Sequence, residues 1–481
     1  MPAFSCRIVV PLLAVGLLGG CAGLFPAVGP DYMPPSLSLP AGWTQPPTAA
    51  AEPVDLGRWW RQFDDPQLAA LVDAALVGSL DLRQAEARLR QARAARTQAV
   101  GGRFPSLTAS GGASRSRAAT GVSTVPPRTT WDAGFDASWE VDLFGATRRG
   151  VEAASAALEA SAASLANVRV SLAAEVARNY VELRLYQQRL AIARDNLTAQ
   201  SETLQIVTWR NRAGLASATD VAQARTSREQ TRATIPDLEV SLAAAGNRLA
   251  VLLGQPPGGL ADALAGAGSQ LPLPASVAAG IPADVLRQRP DLIVAERNLA
   301  AETARVGQKE AQRFPSLNLG ASFGWQAYSF GGLGGAGSLA RSASASLAGT
   351  VFDAGRLKSA VDIQSAVQEE ALAAYEAAVL GALEEVENAL AAYAAGRERV
   401  EARQGAADAA REAASLAHKL YRAGLADFQK VLETERTRLS AEDNLALAEA
   451  AMRTNLIQLY KALGGGWQAA DAGGPEGKAA R

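Results

Sequence analysis

The chain has 481 residues, with 47 Lys and Arg against 48 Asp and Glu and a formal net charge of −1. That length suits two or three ordinary domains, and the balanced charge gives no sign of a nucleic-acid partner. One histidine and two cysteines leave metal and acid–base chemistry poorly supplied, so no catalytic site, metal or cofactor is expected.

Both cysteines lie at the N-terminus. Arg7 precedes an apolar run from Ile8 to Leu18, and Leu18-Gly19-Gly20-Cys21 follows. A basic start, a short apolar stretch and small residues before a cut site read as a secretory signal over 1–20. The run is too short to be retained as a membrane-spanning helix. Its end is similar to a bacterial lipobox, which makes Cys21 the lipidated first residue, and Ala22 in place of aspartate implies an outer-membrane address. An ordinary signal followed by a chance cysteine is the other reading. The Pro-rich stretch from Pro34 to Pro53 is read as an extended or disordered wrapping segment, within a lipidated N-terminal segment over 21–65. No later segment is apolar enough for a transmembrane helix. A membrane-spanning part must then be a closed β-barrel.

From Asp65 to Val100, Leu68, Leu71, Val72 and Ala75 recur at helical spacing. Phe104-Pro105 ends the helix, because the residue before proline is pushed to an extended conformation. Two strands are expected next, over 106–115 and 129–142. A long helix over 146–213 and a return helix over 217–253 follow. Between Gly145 and Gly214 lie 68 residues without proline, roughly 100 Å of helix at 1.5 Å per residue.

The same order then repeats. Arg103-Phe104-Pro105-Ser106-Leu107 returns as Arg313-Phe314-Pro315-Ser316-Leu317, a shift of 210. That shift also carries Gly145 onto Gly355, Arg212-Ala213-Gly214-Leu215 onto Arg422-Ala423-Gly424-Leu425, and Leu253-Gly254 onto Leu463-Gly464. The chain is therefore two copies of one unit, 66–275 and 276–464, followed by a tail over 465–481. In the second copy strands are expected over 315–327 and 341–354, a long helix over 356–423 and a return helix over 427–463.

The strands carry the class. Trp131, Ala133, Phe135, Ala137, Trp139 and Val141 alternate with Asp132, Gly134, Asp136, Ser138, Glu140 and Asp142. Leu317 to Gln326 repeats the scheme around Phe323 and Trp325. Period-2 alternation with aromatics is the signature of a transmembrane β-strand, so Trp131, Phe135, Trp139, Phe323 and Trp325 are expected to face lipid. Soluble hairpins with one wet face are the alternative. Four strands cannot close a barrel and eight leave an interior filled by side chains; twelve, from three copies, leave an aqueous bore. The expected fold is mainly α with a small β part: duplicated helical hairpins plus two β-hairpins per chain, assembling as a trimeric twelve-stranded transmembrane β-barrel on an α-helical barrel.

Several motifs resemble the TolC family of outer-membrane efflux proteins, and its lipoprotein subfamily (the NodT/OprM-like group) in particular. They are Val28-Gly29-Pro30-Asp31-Tyr32 with Pro34, and Trp59-Trp60 with Phe63, Asp65-Pro66 and Leu68. Trp139-Glu140-Val141-Asp142-Leu143-Phe144-Gly145, Arg289-Pro290-Asp291-Leu292 with Ala295-Glu296-Arg297, and Tyr460 to Trp467 complete the set. The resemblance implies a homotrimer that passively conducts drugs or other small molecules, fed by a periplasmic adaptor and an inner-membrane pump, of the RND type. The same duct serving protein (type I) or metal-ion export is an alternative. A periplasmic adaptor lipoprotein is another, although an adaptor should carry one helical hairpin and no lipid-type strands.

The resemblance also implies adaptor contacts at the tips Ala213-Gly214-Leu215 and Ala423-Gly424-Leu425, where a glycine suits a left-handed turn between helices. A plain helix–turn–helix corner is the other reading of these tips. A periplasmic gate is implied at Thr219, Asp220, Gln429 and Glu433, with Lys430 standing where some relatives have a second acid. The alternative leaves Asp220 and Glu433 on solvated outer faces. His418, alone on a long helix, is read as a packing or surface residue.

Overall fold

The computed structural model describes residues 26–37, 39–44, 55–117, 126–266, 271–273 and 287–468. The expected signal peptide and Cys21, most of the Pro-rich stretch and the tail beyond residue 468 lie outside the described residues. The chain divides into two compact units, and each is built from pieces of both copies. None of the helices described is long and apolar enough to cross a membrane.

The helices follow their local chemistry. Helix α1 (Pro66–Gly78) starts with Pro66 in its first turn and Asp65 accepting from the Gln67 and Leu68 amides, two of the otherwise unpaired donors of a helix start. A single helix was expected from here to Val100, but Ser79 is extended (φ −60°, ψ 133°) and a second helix, α2 (Leu80–Gly101), begins after it. The break has a packing cause. A Cβ at Gly78 would lie 2.4 Å from the Leu253 carbonyl oxygen, and one at Gly254 would lie 2.3 Å from that of Gly78. Two backbones meet there at a distance that only glycines allow.

The long helices α3 (Ala146–Arg212) and α7 (Arg356–Arg422) have 67 residues each. Their partners are α4 (Ala218–Leu252), which runs through Pro236, and α8 (Phe428–Ala462). Two shorter helices are α5 (Ala261–Leu264), of four residues, and α6 (Pro290–Ala311).

The first unit comprises Met1–Ser36, Arg88–Ser161 and Val294–Glu376. It holds an antiparallel sheet in the order β1 (Ser106–Ser116), β2 (Arg128–Val141), β3 (Ser316–Ala327), β4 (Leu339–Ala348). Strand β4 stops well short of the expected 354. Its partner β3 begins at Ser316, paired with Ala348, and the preceding residue is Pro315, which has no amide to extend a ladder. Beyond that, Asp353 accepts from the Gly355 and Leu357 amides and Ala354 is left-handed (φ 53°), which turns the chain into α7. Near the sheet, Arg149 is 4% exposed; it donates to the Val28 and Gly29 carbonyls and to Glu152 and Asp31. Gly29 (φ 88°) lies so close to Gly307 that a Cβ would fall 2.3 Å from its Cα. These contacts account for the Val28–Tyr32 motif as a strap on the helices.

The second unit comprises Leu37–Ala87, Ala162–Ile293 and Ala377–Arg481 and holds the main apolar core. The N-terminal segment is not wholly extended as expected: Leu56–Phe63 forms a 3-10 helix whose Trp59, Trp60 and Phe63 are buried. Trp59 stacks on Tyr460 with ring centroids 5.3 Å apart. The C-terminal turn joins the same core, the Gly466 amide donating to the Leu56 carbonyl. Arg289, 6% exposed, donates to the Ala462 carbonyl and to Asp291 and Glu385. Burial works against its charge, but the two carboxylates reverse that and hold the guanidinium above its ordinary range.

Candidate functional site

Two features of the chain can do work: a sheet with two chemically opposite faces, and a pair of helical tips.

Directly paired residues of an antiparallel ladder put their side chains on the same face. The register pairs Phe135 with Phe323, Trp131 with Ala327, Ala133 with Trp325 and Trp139 with Leu319. All five aromatics singled out from the sequence therefore share one face. Phe135 and Phe323 are 48% and 47% exposed, and Phe323 meets Trp325 edge-on at 5.5 Å. The opposite face pairs Asp132 with Gln326, Asp136 with Ser322 and Glu140 with Asn318, and Ser110 donates to Asp136. Water on both faces would leave the aromatic side uncovered; lipid on one face and water on the other satisfies both.

The tips are built alike. Gly214 (φ 75°) donates to the Asn211 carbonyl and Leu215 to that of Arg210. In the second copy Gly424 (φ 77°) donates to Tyr421 and Leu425 to Leu420. This paired bonding is the glycine-terminated helix end, in which a left-handed residue lets two carbonyls be capped. Leu215 and Leu425 are left 69% and 76% exposed. The tips are tied to each other, since Arg210 donates to the Tyr421 carbonyl and its guanidinium lies 4.5 Å from that ring's centroid.

The four residues expected at a gate sit in the first turns after the tips. Thr219 is exposed. Asp220 accepts from the Ser217 amide while Ser217 accepts from that of Asp220, a reciprocal helix cap. Gln429 donates to Gln223 at 2.6 Å and so links the two copies. Among the described residues Glu433 pairs with Lys430 at 3.2 Å, with both side chains mostly exposed.

The family model for outer membrane efflux proteins matches residues 71–255 and 281–465. The second stretch is displaced from the first by the same 210 residues as the internal repeat. The chain belongs to the outer membrane efflux protein family. This efflux protein is 32% identical over 470 residues to nodulation protein T of Rhizobium leguminosarum bv. trifolii, covering 96% of this chain and 97% of that one. It is 33% identical over 446 residues to the pyoverdine export outer membrane protein OpmQ of Pseudomonas putida, covering 91% and 94%. Among solved structures, the outer-membrane channel OprN matches with a TM-score of 0.85 at 38% identity, over 92% of this chain and 99% of that one. CusC matches with a TM-score of 0.79 at 28% identity, over 92% and 100%. The efflux protein is thus an outer-membrane channel. The fold expected from its helices and strands is the fold of those neighbours.

One cluster escaped the sequence reading. His418 is not alone: its Nε2 lies 2.6 Å from Oε1 of buried Glu435, which also accepts from Thr203. Residues 203, 418 and 435 come from three different helices. His418 and Glu435 meet between two helices of the second copy, and the pairing of the two copies brings Thr203 to them.

Proposed function

We propose that three copies of this chain pool their four strands into one twelve-stranded barrel in the outer membrane, continued by helices into the periplasm. The assembly serves as the passive exit duct of a tripartite efflux system. Cys21 carries the lipid anchor at the outer membrane. The exposed tips at Gly214, Leu215, Gly424 and Leu425 receive a periplasmic adaptor, and an inner-membrane pump of the RND type loads small molecules into the bore. Thr219, Asp220, Gln429 and Glu433 ring the periplasmic mouth, where Glu433, repeated three times around the axis, favours cations.

The observation that carries this reading is the coherence of the two faces. Across β2 and β3 every aromatic falls on one side and every carboxylate on the other, so lipid and aqueous lumen are each met by the chemistry they require. Planar-bilayer recording tests it. The purified protein should insert as a steady pore, and Glu433→Ala should raise its conductance. Failure to form pores would refute the duct, and unchanged conductance and selectivity in Glu433→Ala would take that residue out of the gate.

A further inference from the structure

The aromatic face of the sheet is not uniformly apolar. Arg115 on β1 pairs with Thr129, and Arg341 on β4 pairs with Phe323. The register therefore puts both arginines on the side that carries Trp131, Phe135, Phe323 and Trp325. Both are exposed, and neither has an ion-pair partner among the described residues.

Their position along the strands is equally specific. Arg115 is the last residue but one of β1, and Arg341 is the third of β4. Both strand ends open into the loops that join β1 to β2 and β3 to β4, the ends away from the connections to helices. The surrounding sequence has no acid to answer them. Residues 113–131 contain Arg115, Arg117 and Arg128 but no Asp or Glu, and 319–352 contain Arg341 and again no Asp or Glu. Arg128 is engaged, donating to the Tyr328 hydroxyl with its guanidinium 4.1 Å from that ring's centroid.

A guanidinium on a lipid-exposed barrel face is costly at mid-membrane and nearly free at the interface, where its long stem lets the charge reach the headgroups. Phosphate is the anion that its planar fork fits best. We infer that the outer face of the barrel at its loop end is a binding surface for a phosphate-bearing glycolipid of the outer leaflet, held by Arg115 and Arg341. This rests on the barrel reading above and adds a ligand to it. Closing a barrel from three chains sets β4 of one beside β1 of the next, because those are the outer strands of each sheet. An Arg341 and an Arg115 then share every seam, and a headgroup bound there bridges two chains.

The test uses the purified full-length protein in phosphatidylcholine vesicles containing bisphosphorylated lipid A, or lipid A stripped of phosphate, followed by native mass spectrometry of retained lipid. The unmodified protein should keep the phosphorylated form in preference to the stripped one. The double variant Arg115→Gln, Arg341→Gln should lose that retention by about 10-fold or more, two surface charges being removed, while Arg115→Lys, Arg341→Lys, which keeps the charge but loses the planar fork, falls between the two. Equal retention of both lipids, or of the phosphorylated lipid by the glutamine variant, overturns the inference. Full displacement by millimolar inorganic phosphate overturns it too, by marking a simple anion site. Insertion is read separately from the heat-modifiable trimer band. Loss of that band in the unmodified protein would strike the channel reading itself, whereas an intact band with phosphate-independent retention removes only the lipid site.

Discussion

The two helical tips share a backbone and differ in its capping. Ser217 and Asp427 are counterparts 210 residues apart, as are Asp220 and Lys430, and Gln223 and Glu433. In the first copy the acid is at the third helical position and is held in a reciprocal cap with Ser217. In the second the acid has moved to the cap itself, Asp427 accepting from the Lys430 amide. A lysine stands where the first copy has its acid, and a new carboxylate appears one turn on at Glu433. Either arrangement satisfies the amides of a helix start. The second leaves a carboxylate outside the cap, paired with a solvated lysine. Duplication preserved what the turn requires, the glycine and the cap, and released the remaining side chains to specialise.

The same contrast runs through the core, and it can be tested at matched positions. The largest effect is expected at the aromatic staple, which belongs to the second copy alone: Tyr460 stacks on Trp59, whereas its counterpart is Ala250. Trp59→Ala should cost about 3–5 kcal/mol, as for other large buried aromatics, read as lost thermal stability of the purified trimer. A cost below about 1 kcal/mol would mean that the stack is incidental.

Next comes the junction where each return helix ends. The second copy places Arg289 there and the first places Ser79. Arg289→Ala should cost about 2 kcal/mol, chiefly from the orphaned Ala462 carbonyl, because Asp291 and Glu385 are exposed enough to rehydrate. Ser79→Ala should cost under about 1 kcal/mol. Equal costs would erase the asymmetry.

A smaller effect is expected at the caps. Ser217→Ala should cost about 1 kcal/mol and raise amide hydrogen exchange in the first turn of α4, with α8 unaffected. The smallest energetic change, and the sharpest functional one, separates the two carboxylates. Glu433→Gln should shift the reversal potential in a salt gradient toward zero, while Asp220→Asn should loosen the cap and leave the reversal potential in place. The opposite pattern would assign the gate charge to the first copy.

Much of this architecture was legible because the repeat supplies its own control. Gly145, Gly214, Gly355 and Gly424 mark the ends of the long helices, and all four have positive φ. The strand alternation fixed which residues share a face. What stayed hidden depends on contacts remote in sequence. The break at Ser79 comes from the approach of residues 253 and 254, and β4 ends because Pro315 ends its neighbour. Trp59 and Trp60 gave no periodicity to show that they enter a core completed some four hundred residues later. His418 and Glu435 belong to different helices of one copy, and Thr203 to the other. The gate positions were placed by resemblance, and the distinction between a capping Asp220 and a freer Glu433 needed coordinates.

Electron cryo-microscopy of the full-length protein in lipid nanodiscs puts the central claim to its most direct test. It should show three chains closing one twelve-stranded ring, β4 of each beside β1 of the next, with Trp131, Phe135, Trp139, Phe323 and Trp325 toward lipid and Asp132, Asp136 and Glu140 toward the bore. A sheet that stays four-stranded within each chain, or one whose aromatics point into the lumen, would contradict it.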